Sequence, residues 1–210
     1  MKKEIELNWL GQNVDFEEAL AFQENRVQQI VSNRDQSGTF YVLEHAPVYT
    51  IGLRKKEAEL PTHLPHPVVQ INRGGLATYH GPGQLVGYLI TDLIPLGKDL
   101  HEYLRTMEEA LIQACQEIGV NAGREKGLTG VWTQKRKIAS MGVGVRKWVS
   151  MHGFALNITP ESLPPFSAIN PCGIDGVIMS CLHNEGSWKG SPEEFSKIVF
   201  NKLRQLLTQF

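Results

Sequence analysis

An α+β domain, with helices packed on a mostly antiparallel or mixed sheet, is the fold class this sequence predicts. Two observations carry the prediction. Short runs of β-branched and aromatic residues come in clusters, whereas a doubly wound parallel sheet would alternate them one by one with helices. Three longer segments repeat apolar residues at helical spacing, and each opens on a capping signal: Asp15 with Glu18, Asp99 with Glu102, and Ser191 with Pro192 and Glu194. No internal repeat and no clear linker divides the 210 residues, so residues 1–210 read as a single domain.

The elements follow in order. Alternation through Glu4, Ile5, Glu6 and Leu7 predicts a short strand, and "DFEEALAFQENRVQQIVS" predicts the first helix. The runs "TFYVLEH", "VYTIG" and "PVVQIN" read as strands separated by proline and charged clusters. A glycine-rich stretch, "RGGLATYHGPGQ", precedes the strand-like "LVGYLITDL". From Asp99, residues Leu100, Tyr103, Leu104, Met107, Leu111, Cys115 and Ile118 form an apolar stripe, and Gly119 supplies the stop. "TGVWT", "KIASMGVGV" and "WVSMHGFALNI" predict successive antiparallel strands. "TPESLPPFSAINPCG" carries too much proline for a central strand, "VIMSCLHNEG" resumes a strand pattern, and "SPEEFSKIVFNKLRQLL" closes the chain as a helix.

Charge and cysteine content bound the function. Lysine and arginine total 21 against 22 acids, a net charge of −1, so no global field favours nucleic acid or an anionic membrane. No apolar run approaches the roughly 20 residues of a membrane span, and "MKKEIELNWL" lacks the features of a secretory signal, which predicts a cytoplasmic protein. Three widely spaced cysteines fit neither a disulfide framework nor a CxxC site. Cys115 falls on the helical stripe and reads as a packing residue. Cys172, between Pro171 and Gly173 in an irregular segment, is the candidate nucleophile.

Two further stretches carry chemistry. Around the glycine-rich stretch, Arg73, Thr78, Tyr79, His80 and Gln84 would be costly to bury as a mere turn and suit a polar ligand. Neither a P-loop nor a GxGxxG fingerprint is present. Lys137, at the start of "KIASMG", could lower the pKa of a nearby thiol, and about 1.4 kcal/mol in favour of the thiolate would raise its population roughly tenfold. His45, His80 and His152 are competing activators in a Cys–His arrangement, and sequence spacing does not decide between them and the lysine. His63 and His66 stand three apart across a proline with no other ligand cluster, so they read as loop residues and no metal is expected.

Taken together, "RGGLATYHGPGQLVGYLI", "GVW…KIASMGVGVRKWVSMHGFALN" and "PCGI" resemble the lipoyl(octanoyl) transferases, the octanoyl-[acyl-carrier-protein]:protein N-octanoyltransferases of lipoate biosynthesis. "HAPVYTIGLR" is similar to a further family stretch, but Leu53 stands between Gly52 and Arg54, so the resemblance assigns no role to Arg54. The resemblance implies the biotin and lipoate protein ligase catalytic-domain fold, an α/β sandwich. It implies that Cys172 carries an acyl thioester and that Lys137 activates it. It also implies an acyl pocket from Arg73, Gly74, Gly75, Leu76, Ala77, Thr78, Tyr79 and His80, from Ser140, Met141 and Gly142, and from His152, Gly153, Phe154 and Ala155. Octanoyl would pass from the phosphopantetheine of octanoyl-acyl carrier protein to lysines on the lipoyl domains of 2-oxoacid dehydrogenase complexes and on glycine cleavage H protein, with neither ATP nor metal. Because carrier proteins of that kind are acidic, Lys135, Arg136, Arg146 and Lys147 are expected to form a docking patch. An ATP-dependent lipoate ligase, a Cys–His thioesterase or amidohydrolase, and a noncatalytic binding domain are the alternatives.

Overall fold

The structure, a computed structural model, describes residues 4–34, 37–52, 61, 63–74, 76–169 and 176–208. Its strands are β1 (Ile5–Trp9), β2 (Gly38–Leu43), β3 (Val48–Ile51), β4 (Val68–Gln70), β5 (Ala77–His80), β6 (Gln84–Ile90), β7 (Val131–Thr133), β8 (Arg136–Arg146), β9 (Val149–Asn157) and β10 (Ile178–Met179). The α-helices are α1 (Phe16–Ser32), α2 (Leu100–Glu117), the single turn α3 (Leu182–Glu185) and α4 (Pro192–Leu207). The proline-rich stretch forms two 3₁₀ turns, Pro160–Ser162 and Pro164–Ala168.

Two mixed sheets result. The larger runs β1-β2-β6-β9-β8-β10, with β7 also paired to β8, and the smaller runs β4-β3-β5. β1 lies parallel to β2, a geometry that needs a crossover, and α1 supplies it. β2, β6, β9 and β8 then pair antiparallel, as the clustered strands predicted. Helices cover both faces of the large sheet. Leu85 and Leu89 of β6 pack with Tyr103, Met107 and Leu111 of α2 and with Phe195 and Val199 of α4, while Val86, Tyr88 and Ile90 pack with Ala19, Val27 and Ile30 of α1. All seven residues of β6 are therefore buried, which explains why "LVGYLI" is apolar almost without alternation. Each large apolar side chain buried this way contributes about 1.5–3 kcal/mol.

The helix starts form where the sequence predicts them. Asp15 accepts the N–H groups of Glu17 and Glu18, Asp99 those of His101 and Glu102, and Ser191 with Glu194 makes the complete reciprocal box. Two expectations change. "RGGLATYH" holds a strand, β5, because Ala77–His80 finds an antiparallel partner in β3. "VIMSCLHNEG" is a strand for two residues only, after which Cys181 and Leu182, both fully buried, open the helical turn α3. Cys115 is fully buried on α2, as its place on the stripe predicts, and burial pushes its thiol up to about 12. Among the described residues no helix is long and apolar enough to cross a membrane.

Candidate functional site

A cavity of about 630 Å³ opens between the small sheet, the middle of β8 and β9, and the start of α2. Its size falls in the range of small-ligand sites. Three sequence segments that are far apart in the chain converge on it. Arg73, Gly74, Leu76, Ala77, Thr78 and His80 form one wall; Lys137, Ser140, Met141 and Gly142 of β8 form a second; His152, Gly153, Phe154 and Ala155 of β9 form the third. The antiparallel register sets Ser140, Met141 and Gly142 opposite Ala155, Phe154 and Gly153, so two of the three walls are one ladder. Two glycines allow the close approach: a Cβ on Gly153 would sit 2.1 Å from the Gly87 carbonyl oxygen, and one on Gly142 would sit 3.0 Å from Arg73 Cδ.

Tyr79 is placed differently from its neighbours. Along β5 alternate side chains point to opposite faces, so Thr78 and His80 face the cavity while Tyr79 packs with Tyr49, Phe166 and Ile169. Leu100, Leu104, Leu128 and Thr129 also line the cavity, and none of them was expected there from the sequence. Leu100 and Leu104 read as core-stripe residues, and apolar lining has the same signature as core. Gly75, Arg54 and Cys172 lie outside the described residues.

The Arg73 wall carries a chain of hydrogen bonds. Arg73 Nη2 donates to Thr50 O (3.1 Å) and Thr50 Oγ1 (3.0 Å), and Nη1 donates to Gly74 O (2.9 Å). Thr50 Oγ1 lies 3.3 Å from His80 Nε2, and His80 Nδ1 lies 2.8 Å from Gln84 Oε1, so Nδ1 carries the proton and Nε2 accepts from the threonine hydroxyl. Gln84 Nε2 passes the chain on to Asn157 Oδ1 (3.0 Å). His45 is arranged alike, donating from Nδ1 to Val14 O (3.0 Å) and accepting from Tyr88 Oη (2.7 Å) at Nε2. Burial disfavours the imidazolium and holds His80 down at about 3 and His45 at about 4; burial and then the Arg73 charge hold His152 at about 4. All three are neutral at neutral pH. The ring nitrogens of His45 and His80 are engaged on both sides, which leaves neither a lone pair for a thiol proton.

Lys137 occupies the β8 wall at 2 % exposure. Its Nζ lies 5.3 Å from the centroid of the Trp132 ring, whose face attracts a cation. Gly130 has φ +120°, and a Cβ there would sit 2.9 Å from Lys137 Cε and 2.4 Å from Ala139 O. Glycine is thus needed at 130 both for its backbone angle and for room beside the lysine. Glu108, fully buried on α2, fixes that glycine by accepting its N–H at 2.8 Å, and its other oxygen accepts from Arg105 and Arg124. On the far side of Lys137, Met179 of β10 is its register partner, and Ser180 N donates to Lys137 O at 2.9 Å.

The expected basic docking patch is divided. Lys135 and Arg136 stand at one end of the 11-residue β8 and Arg146 and Lys147 at the other, roughly 30 Å away at about 3.3 Å per residue. Arg136 is moreover held by Glu185 at 2.7 Å.

Comparison with known proteins agrees with this architecture. A family model described as the lipoyl protein ligase A/B catalytic domain matches residues 15–204. A curated octanoyltransferase of Geobacter sulfurreducens is 51 % identical over 172 residues, 82 % of this chain and 72 % of that protein. One of Pelobacter propionicus is 48 % identical over 204 residues, 97 % of this chain and 96 % of that protein. Among solved structures, a bipartite lipoate protein ligase from Thermoplasma acidophilum superposes with a TM-score of 0.73 at 16 % identity, covering 99 % of this chain and 85 % of that one. The biotin protein ligase of Aquifex aeolicus gives 0.62 at 12 % identity, covering 98 % and 71 %. At those identities the likeness is one of fold.

Proposed function

The chain belongs to the lipoyl protein ligase A/B catalytic-domain family and is an octanoyltransferase of protein lipoylation; on that premise we propose that the octanoyl group travels through a thioester on Cys172, with Lys137 managing the protons. The donor is octanoyl-acyl carrier protein, and the acceptors are lysines on the lipoyl domains of 2-oxoacid dehydrogenase complexes and on glycine cleavage H protein. The observation that carries this reading is a buried lysine on the wall of a largely apolar cavity, beside the three segments expected to hold the acyl chain.

The chemistry balances with these two residues. Starting from a thiolate–ammonium pair, Cys172 Sγ attacks the donor thioester carbonyl, and the phosphopantetheine sulfur leaves with the proton of the Lys137 ammonium. The acceptor amine then attacks the Cys172 thioester and gives its proton to the Lys137 amine as the amide forms. Cys172 departs as thiolate, and the starting pair is restored. The first step exchanges one thioester for another at little free-energy cost, and the second runs downhill to an amide, so neither ATP nor metal is called for. Backbone N–H groups beside Gly142 are the candidate oxyanion donors. Leu76, Leu100, Leu104, Leu128 and Met141 suit an alkyl chain.

The test is octanoyl transfer to an apo lipoyl domain without ATP, comparing the parent with Cys172→Ser. The parent transfers and the variant does not. Equal rates would remove the nucleophile, an ATP requirement would indicate a ligase, and release of free octanoate without acceptor would indicate a thioesterase.

A further inference from the structure

We propose that Glu185 is a positioning residue, whose carboxylate clamps the strand carrying Lys137 to the segment that follows Cys172; this rests on the lysine–cysteine reading above. Glu185 Oε1 accepts from Ser180 Oγ (2.5 Å) and Arg136 Nε (2.8 Å), and Oε2 accepts from Thr133 Oγ1 (2.5 Å) and Arg136 Nη2 (2.7 Å). The sources of these four bonds are what assign the role. Arg136 is the immediate neighbour of Lys137 on β8. Thr133 ends β7, one residue after Trp132, the ring on which the Lys137 ammonium sits. Ser180 comes eight residues after Cys172 and is the first residue past β10.

Ser180 also holds Lys137 directly. Its N–H donates to Lys137 O at 2.9 Å, and its carbonyl accepts from Asn157 Nδ2 at 3.0 Å. β10 itself pairs with β8 at only two positions, Ile178 with Arg136 and Met179 with Lys137. So short a parallel ladder holds register weakly, and a carboxylate gripping both sides supplies what the ladder lacks. The grip is strong because the Glu185 side chain is only 5 % exposed, and its two oxygens meet a forked guanidinium and two hydroxyls. These bonds hold the carboxyl far below its usual range, at about 2, so the clamp stays charged at any working pH. Cys181 and Leu182, both fully buried, fix the turn from which Glu185 reaches back.

A merely structural ion pair would also stabilise the fold, so the experiment reads coupling to Lys137. Glu185→Gln, Lys137→Met and the double variant are compared by single-turnover acylation of Cys172 from octanoyl carrier protein and by the pH profile of Cys172 alkylation with iodoacetamide. Melting temperature is recorded alongside. In the parent background Glu185→Gln is expected to slow acylation about tenfold and to move the alkylation midpoint up by about one pH unit, while in the Lys137→Met background it changes either by less than about twofold. Ser180→Ala, which leaves the Arg136 pair intact, is expected to shift both in the same direction by less. A silent Glu185→Gln, or an equal loss in both backgrounds, overturns the clamp alone. If Lys137→Met itself leaves acylation and alkylation at parental levels, the lysine–cysteine reading fails and the clamp with it.

Discussion

The two polar walls of the cavity are built on opposite principles. Around Arg73, Thr50, His80 and Gln84 the side chains bond to one another and the imidazoles are neutral. Around Lys137 a cation rests against an aromatic face, and Glu185 grips the flanking Arg136, Thr133 and Ser180. The first wall suits holding a shape, and the second suits a proton that must move. Histidines, the usual first candidates for activating a thiol, here hold the wall in place.

Variants can break or sharpen that contrast. Its largest expected effect is chemical: Lys137→Met, close in length and still apolar against Trp132 and Gly130, is expected to lower the transfer rate by about 100-fold or more with little change in melting temperature. A loss below about tenfold would contradict its role. On the other wall, His80→Ala removes the partner of Gln84 Oε1 and of the Thr50 hydroxyl proton and is expected to cost about 2–3 kcal/mol in urea unfolding. Its activity loss is expected to recover on cooling, where the Lys137→Met loss does not.

The same contrast has a pH signature. His45, His80 and His152 bind protons near 6.5 when unfolded but only near 3 to 4 when folded. The unfolded state therefore takes up the extra protons, so stability is full above about pH 6.5 and falls between 6.5 and 4, by at most about 1.4 kcal/mol per pH unit per histidine. Glu185 adds a second, lower window, since its stabilisation is present above 4.5 and lost as pH falls toward 2. Unfolding free energy that is level from pH 7 to pH 5 would mean that the three imidazoles are not buried neutral.

The smallest effect concerns docking. With Arg136 bound to Glu185 and the basic residues split between the ends of β8, Lys135→Glu is expected to raise KM for the acyl carrier a few-fold and flatten its salt dependence. Arg146→Glu with Lys147→Glu, at the end far from Lys137, is expected to leave KM near its parental value. The reverse order would place the carrier at the β8–β9 turn.

What the sequence revealed and what it hid divide along the range of the interactions. Capping at Asp15, Asp99 and Ser191, the α2 stripe and the antiparallel succession β7, β8, β9 depend on local spacing and were legible. So were the three wall segments, through their resemblance to a family. The parallel two-residue pairing of β10 was not, because its partners lie 42 residues earlier at Arg136 and Lys137. "VIMSCLHNEG" looks locally like a strand, and only the burial of Cys181 and Leu182 and the bonds of Glu185 turn it into α3. Arg136 read as part of a docking patch for the same reason: its carboxylate partner lies 49 residues away.

The measurement that tests the central claim most directly is intact-protein and peptide mass spectrometry after mixing with octanoyl carrier protein, followed by addition of an apo lipoyl domain without ATP. The account predicts a single hydroxylamine-labile octanoyl adduct on Cys172 that disappears as the acceptor lysine becomes octanoylated. Transfer to the acceptor with no adduct at any time, or an adduct that the acceptor never discharges, would contradict it.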